Sequence, residues 1–395
     1  MKRKTLLTLL VLIAFLFSTS CILFAGAEKK SAEETAGVME VHDIAIMPFH
    51  IPCMWFSPFT AGGYWYLQQK GHNVRTANAA WDTKQMNTIL NTWAEDPKLE
   101  GVIIAPLGGE EVLPGIRALK AAGKVVVLSN NEAGYCPEAD FCVRFDSPTG
   151  CYDGAMEAVK MLKAKKGEAK GVVILGLGDV RNSEHLERAA GARKAFQQFP
   201  KIEIHEFVSD MDAGKAVTET GTLLRTLPQV DVLFSVGMLE FMGMINALKR
   251  EEMAFPKDDS RHIICVGMDS CPDVINPAVK EGIVDFVIDQ PVLSYNALAA
   301  FYLLKILDNG GNTGVLPKPG TTIRPADVDI KSKVPQKGLD ITVPADAWAP
   351  AEVLDTMDQF GHIWIKTNYR IIDDANVDDP TLWSNITGQV RDYGF

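Results

Sequence analysis

Six short stretches carry most of the side chains that could hold a small molecule: "CMWF" (Cys53 to Phe56), "SNNE" (Ser129 to Glu132), "EHLERAAG" around Arg188, "VGMLE" (Val236 to Glu240), "GMDS" around Asp269 and "IDQP" around Gln290. Together they offer aromatic faces, amides, a guanidinium, carboxylates and a thiol, a set suited to stacking and hydrogen bonding. Patterns for group transfer or redox chemistry are weaker. "ILGLGDVRN" places Gly176 and Gly178 after an apolar run, but the third glycine of a dinucleotide fingerprint would fall at Arg181, where close helix packing would be lost. No Gly-x-Ser-x-Gly, phosphate loop or His-Glu-x-x-His occurs. His42, His50, His72, His185, His205, His262 and His362 are scattered, and the only sequence-local nucleophile and base are Cys53 and His50. With no Cys-x-x-Cys or His-x-x-x-His spacing, neither a metal nor a cofactor is expected.

These stretches need a scaffold that brings them together, and the hydrophobic pattern supplies one. Apolar, β-rich runs ("IAIMPF", "GVIIAPL", "KVVVLSN", "GVVILGL", "DVLFSV", "IICVGMD", "VDFVID") alternate with helical patterns such as "EEVLPGIRALKAAG", "LERAAGARKAF" and "EFMGMINALKREEM". Near-continuous apolar strands separated by helices mean parallel sheets covered on both faces, an α/β chain. Five of the six stretches begin where such a run ends, and the sixth, around Arg188, lies in the helix that follows one. In open parallel sheets the ligand crevice forms at the carboxyl ends of the strands. Ser147-Pro148 after Asp146 reads as a crossing segment, because proline biases the residue before it to extended geometry.

The chain opens with "MKRKTLLTLLVLIAFLFSTSCILFAGAEKK", which reads as an export signal cleaved after Ala27; a lipid anchor at Cys21 is a weaker alternative, since Ser18-Thr19-Ser20 lacks the usual leucine. Cleavage removes Lys2, Arg3 and Lys4 and no acid, leaving 36 Lys and Arg against 50 Asp and Glu, a net charge of −14. So acidic a chain is a poor partner for nucleic acid. The six cysteines beyond Ala27 (Cys53, Cys136, Cys142, Cys151, Cys265, Cys271) allow 15 full pairings. Cys136 and Cys142, close in sequence and in an exported chain, are the favoured disulfide. After about Leu307 the pattern weakens into a Gly/Pro-rich tract, and residues 328–395 form a tail with Trp348, Trp364, Trp383 and Tyr369 that is too aromatic to be disordered.

In this order and spacing, "DTKQMNTILNTWAEDPKLEGVIIAPLGGEEVLPGIRALKAAGKVVVLSNN", "FDSPTGCYDGAMEAVKML", "ERAAGARKAF" and "VGMDSCPDVINPAVKEGIVDFVIDQP" resemble the type I periplasmic solute-binding proteins of sugar ABC transporters, the family of the ribose and galactose binders and the lactose-repressor core. The resemblance runs from about His42 to Leu307. It implies two Rossmann-like lobes joined by a three-stranded hinge: residues 40–146 with 291–309 in lobe 1, residues 147–290 with 310–327 in lobe 2, and 328–395 as an extension over lobe 2 or the hinge. It also implies a monomer that closes on a solute and delivers it to a membrane permease, without catalysis.

Carried over residue by residue, the resemblance puts Trp55 and Phe56 where sugar binders place aromatic rings, and Arg188 at the cleft arginine. Asp269 falls at the ligand carboxylate and Gln290 at the hinge-side amide. Other positions depart from the ribose-type pattern: Asn130 and Asn131 replace Asp-Arg, Cys53 stands for an asparagine, and Gly237 and Met238 stand for Asn-Asp. The expected ligand is therefore a small neutral solute, sugar-like, a cyclic polyol or a less hydroxylated compound. A sensor partner of a membrane receptor would share every one of these features. Arg188→Ala or Asp269→Ala is expected to remove binding while leaving the melting temperature of the empty protein nearly unchanged.

Overall fold

The computed structural model describes residues 40–343 and 347–395. The export signal expected over residues 1–27 and the anchor alternative at Cys21 lie outside the described residues. Among the described residues, no helix is long and apolar enough to cross a membrane.

Ten parallel strands, five in each, form the cores of two sheets of eight and six strands. The first orders its strands β2-β1-β3-β4-β5, with β1 (Asp43–Met47), β2 (Asn73–Thr76), β3 (Gly101–Ile104), β4 (Val125–Ser129) and β5 (Phe141–Phe145). The second repeats the arrangement as β7-β6-β8-β9-β10, with β6 (Gly171–Leu177), β7 (Ile202–Val208), β8 (Val232–Ser235), β9 (Ile264–Met268) and β10 (Phe286–Asp289). Central strands are buried along their whole length, as helices on both faces require. Strands β2, β5 and β7 did not stand out in the sequence. Edge strand β7 alternates apolar and polar residues, "IEIHEFV"; β2 is an edge strand of four residues; and β5 hides Arg144 among its buried positions.

The chain passes between the sheets first at Asp146. Its carboxylate accepts from the Thr149 N–H at 3.2 Å and caps the helix Ser147–Lys166, so the crossing is shorter than expected and Pro148 lies within the first helical turn. That helix ends at Gly167 with φ of 80°, a left-handed cap that glycine adopts without steric cost. The second crossing is at Gln290-Pro291, from β10 into the helix Val292–Leu307, which packs under the first sheet.

The third crossing lies far from where the resemblance placed it. After the helix Val292–Leu307 the chain does not enter the second lobe: β11 (Thr322–Ile323) pairs with β14 (Ala351–Leu354), which pairs with β15 (Ile363–Thr367), and β15 runs parallel beside β5. The segment 310–327, expected in lobe 2, thus gives its strand to the first sheet, and β12 (Ser332–Lys333) and β13 (Thr342–Val343) form a separate hairpin. Only at Asn368-Tyr369 does the chain cross, to lay β16 (Arg370–Ile372) antiparallel against β10. The tail is not a cover over one lobe. It widens both sheets, then returns to lobe 1, where the Tyr64 hydroxyl donates to the Gly394 carbonyl at 2.8 Å and the Trp65 indole to that of Tyr393 at 2.9 Å.

The expected Cys136–Cys142 disulfide is absent. All six cysteines among the described residues are free thiols and buried. Cys142 is held in the middle of β5, paired with Leu128 of β4 on one side and Trp364 of β15 on the other, while Cys136 lies in the preceding loop, anchored by its N–H to the Phe360 carbonyl at 2.8 Å.

Candidate functional site

The carboxyl ends of both sheets meet around one cavity with about 370 Å³ of unfilled space, part of it open to solvent. From lobe 1, the loop after β1 contributes Cys53, Trp55 and Phe56, and the loop after β4 contributes Asn130. From lobe 2, the segments after β6, β8, β9 and β10 contribute Arg188, Met238, Asp269 and Gln290.

A chain of polar contacts runs along the lobe 2 wall. Asp269 has φ of 66°, which turns its side chain off the end of β9. Its Oδ1 accepts from Gln290 Nε2 at 2.6 Å, and Gln290 Oε1 in turn accepts from the Tyr295 hydroxyl at 3.1 Å. The Arg188 guanidinium lies 3.8 Å from Asp269 Oδ2 and 3.6 Å from Glu184 Oε1, and Nη1 donates to the Val236 carbonyl at 3.0 Å. Burial raises the Asp269 carboxyl above its ordinary range, with Arg188 and then Gln290 opposing the rise. The Trp55 indole N–H acts on the same carboxyl but falls outside hydrogen-bonding geometry.

On the lobe 1 side, Trp55 stacks on Phe59 at 5.2 Å and meets Phe56 edge-on at 4.8 Å. Both rings are therefore wedged into a larger aromatic cluster, and what faces the cavity is held rigidly. Three buried polar atoms on cavity-lining residues have no hydrogen-bond partner: Trp55 Nε1, Asn130 Oδ1 and Arg188 Nε. They are two donors and one acceptor, supplied by both lobes.

Two expected site residues play other parts. Asn131 does not line the cavity; it accepts from Asn130 Nδ2 and donates through its own Nδ2 to Asn182 Oδ1 at 2.7 Å, joining lobe 1 to the cap of the helix Ser183–Phe196 in lobe 2. Arg144 adds a second cross-lobe link, pairing with Glu187 and lying 3.2 Å from Glu184. Gly237 also lies behind the wall. A Cβ there would stand 2.7 Å from Glu240 Oε1 and 3.2 Å from His185 Cε1, so the glycine makes room for those two side chains. Both are uncharged: burial lowers His185 to about 3 and raises Glu240 to about 8. Met238 lines the cavity beside Gly237, so the apolar character read at this turn is real on one side only.

Two lining residues, Asn182 and Met211, fall outside the six stretches, and two more, His185 and Leu239, lie within them but were not singled out. His185 stands three residues before Arg188, and that spacing on a helix puts both on one face, a usable signal. Met211 follows β7, a strand that its polar alternation hid. His50 and Cys53 do not form a nucleophilic pair. The His50 ring stacks on Trp81 with its Nδ1 unpartnered, and burial pushes the Cys53 thiol up, away from the thiolate.

Comparison with known proteins agrees with this architecture. The model of the family described as "Periplasmic binding protein domain" matches residues 44–312, more than half of the chain. Among curated proteins none matches. A carbohydrate transporter solute-binding protein from Agrobacterium radiobacter, solved in complex with D-arabinose, superposes with a TM-score of 0.65 at 14% identity, covering 87% of this chain and 98% of that one. A sugar-binding protein of a sugar ABC transporter from Bacillus halodurans gives 0.63 at 19% identity, covering 85% and 99%. An ABC transporter solute-binding protein from Bacillus halodurans C-125 with bound myo-inositol gives 0.65 at 13%, covering 88% and 99%. The chain belongs to the periplasmic binding protein domain family.

Proposed function

We propose that this protein is an exported, monomeric solute-binding protein that captures one small neutral, hydroxyl-bearing solute between its lobes and hands it to an ABC importer, without catalysis. The observation that carries the reading is the trio of unpartnered buried atoms, Trp55 Nε1, Asn130 Oδ1 and Arg188 Nε, around one cavity shared by both lobes. Leaving such an atom unpaired costs about 1–3 kcal/mol. A solute with adjacent hydroxyls can both donate to the amide oxygen and accept from the two N–H groups, and its C–H face can rest on the aromatic wall. A neutral solute suits the charges present, because Arg188 already lies between Glu184 and Asp269.

The residues that would touch the solute are Cys53, Trp55, Phe56, Asn130, Arg188, Met238, Asp269 and Gln290. Asn131 would latch the lobes and Gly237 would shape the wall. Structural relatives solved with D-arabinose and myo-inositol support a sugar or cyclic polyol. The soft surface of Cys53 and Met238, in place of polar groups, favours a solute with fewer hydroxyls than a hexose. Thermal-shift screening of the protein lacking residues 1–27 against sugars, cyclic polyols, amino acids and aromatic acids tests this. A polyol or deoxygenated sugar at 100 times its Kd should stabilise by about 2.7 kcal/mol. Stabilisation only by an amino acid or an anion would overturn the reading.

A further inference from the structure

The sequence shows no metal-ligand spacing, yet the fold gathers three donors that are far apart along it. Glu132 closes the cleft loop after β4, Cys142 lies in β5, and His362 precedes β15, which the tail places beside β5 with Trp364 opposite Cys142. One donor atom from each lies within 4.8 Å of the other two, and all three side chains are buried. His362 Nδ1 meets the Cys136 carbonyl at 3.0 Å, so Nδ1 carries a proton and donates it; Nε2 faces Glu132 Oε2 at 3.1 Å. The other Glu132 oxygen, Oε1, is buried without a partner; the Cys142 thiol acts on the same carboxylate but falls outside hydrogen-bonding geometry.

We propose that Glu132, Cys142 and His362 bind a divalent ion of the zinc class. Sulfur, imidazole and carboxylate together suit zinc, whereas calcium and magnesium take oxygen alone. Ligand atoms around tetrahedral zinc stand about 3.3–3.8 Å apart, so small side-chain shifts convert the present spacing into a site. The imidazole is already oriented as a ligating histidine requires, with its remote N–H held by a backbone carbonyl.

The charges balance on exchange. Without an ion, the pair needs a proton on each histidine nitrogen facing a carbonyl and a carboxylate, which makes it imidazolium and carboxylate beside a neutral thiol, a net charge of zero. Binding forms metal–sulfur, metal–nitrogen and metal–oxygen bonds and releases two protons, from the thiol and from Nε2. The dication, thiolate, imidazole and carboxylate again sum to zero, so the interior gains no net charge. Arg144 acts on Glu132 but is itself paired with Glu184 and Glu187. His362 and Gly361 border a surface cleft with about 870 Å³ of space, open to solvent, but the imidazole itself is buried, so an ion enters by local opening of that turn.

An ion here would pin the tail to the loop that carries Asn130 and Asn131. The same loop meets lobe 2 where Ser183 Oγ donates to the Glu132 carbonyl at 3.3 Å. The test is titration of the chelator-treated full chain with Zn2+ against a chromophoric chelator, and with Co2+ by absorption. One ion per chain, release of two protons per ion near neutral pH and a thiolate-to-cobalt charge-transfer band are expected. Cys142→Ser should abolish that band, and Cys142→Ser and His362→Gln should each weaken zinc by at least about 100-fold, beyond the loss seen for outer-shell changes. Absence of the cobalt–thiolate band or of proton release in the wild-type protein overturns the proposal, a result that needs no variant to fold. Equal zinc affinity in wild type and both variants also overturns it.

Discussion

Glu240 is the side chain whose burial has the most measurable consequence. It lies in the first turn of the helix Met238–Arg250, fully buried, and neither carboxyl oxygen has a hydrogen-bond partner. Burial lifts its pKa from 4.5 to about 8, although its own backbone N–H and Arg188 work in the other direction. Between those two values the folded state holds one proton that the unfolded state has lost. Stability from this group is therefore fully present below pH 4.5 and lost as pH rises through about 8. The slope is about 1.4 kcal/mol per pH unit, and the whole interval sets an upper limit of about 5 kcal/mol. Glu240→Gln keeps the shape and removes the titration. Guanidinium unfolding of both proteins at pH 5, 6, 7 and 8, with midpoints compared at constant m, isolates the group because every other titration cancels in the difference. The variant should gain on the wild type steadily from pH 5 to pH 8. A difference that stays flat within about 0.5 kcal/mol, or shrinks with pH, would refute the account of Glu240 as a buried neutral acid.

Two further outcomes follow from the geometry. Asn131→Ala removes the hydrogen bond to Asn182 that exists only when the lobes meet, so solute affinity measured by calorimetry should fall about five-fold, the equivalent of about 1 kcal/mol; unchanged affinity would contradict the latch role. Arg188→Ala leaves Asp269 in the interior without its cation, while Glu184 keeps Arg144 at 3.2 Å, so the empty protein should lose about 3 kcal/mol in denaturant unfolding, in place of the near-neutral effect expected from sequence.

Much of the scaffold was legible because parallel strands buried on both faces announce themselves as apolar runs. β1, β3, β4, β6, β8, β9 and β10 could be read in this way, and the loops after them named most of the cavity. Edge strands and tail strands could not. β2 and β7 are half polar, and β15 joins β5 from more than 200 residues away, a pairing set by tertiary packing and carried by no local pattern. The same distance hid the approach of His362 to Glu132 and Cys142. Cys136 and Cys142 illustrate the opposite error: closeness in sequence suggested a bridge, but one thiol is fixed within a strand and the other in the loop before it, and both are free although the two residues share His362 as a neighbour. Gly237 misled for a related reason. Its missing side chain looked like a property of the cavity, whereas it accommodates Glu240 and His185 behind the wall, two groups whose burial no local sequence feature reveals.

The central claim, that one neutral solute is held between the lobes through the Arg188 fork, is tested most directly by titration calorimetry of the wild type and Arg188→Lys with the solute that stabilises the protein most. Lysine retains the charge between Glu184 and Asp269, so the fold is kept, but it lacks the planar fork. The account predicts one site per chain in the wild type and an affinity at least about ten-fold weaker in the variant, a loss of about 1.4 kcal/mol or more. Equal affinity in the two proteins would contradict it.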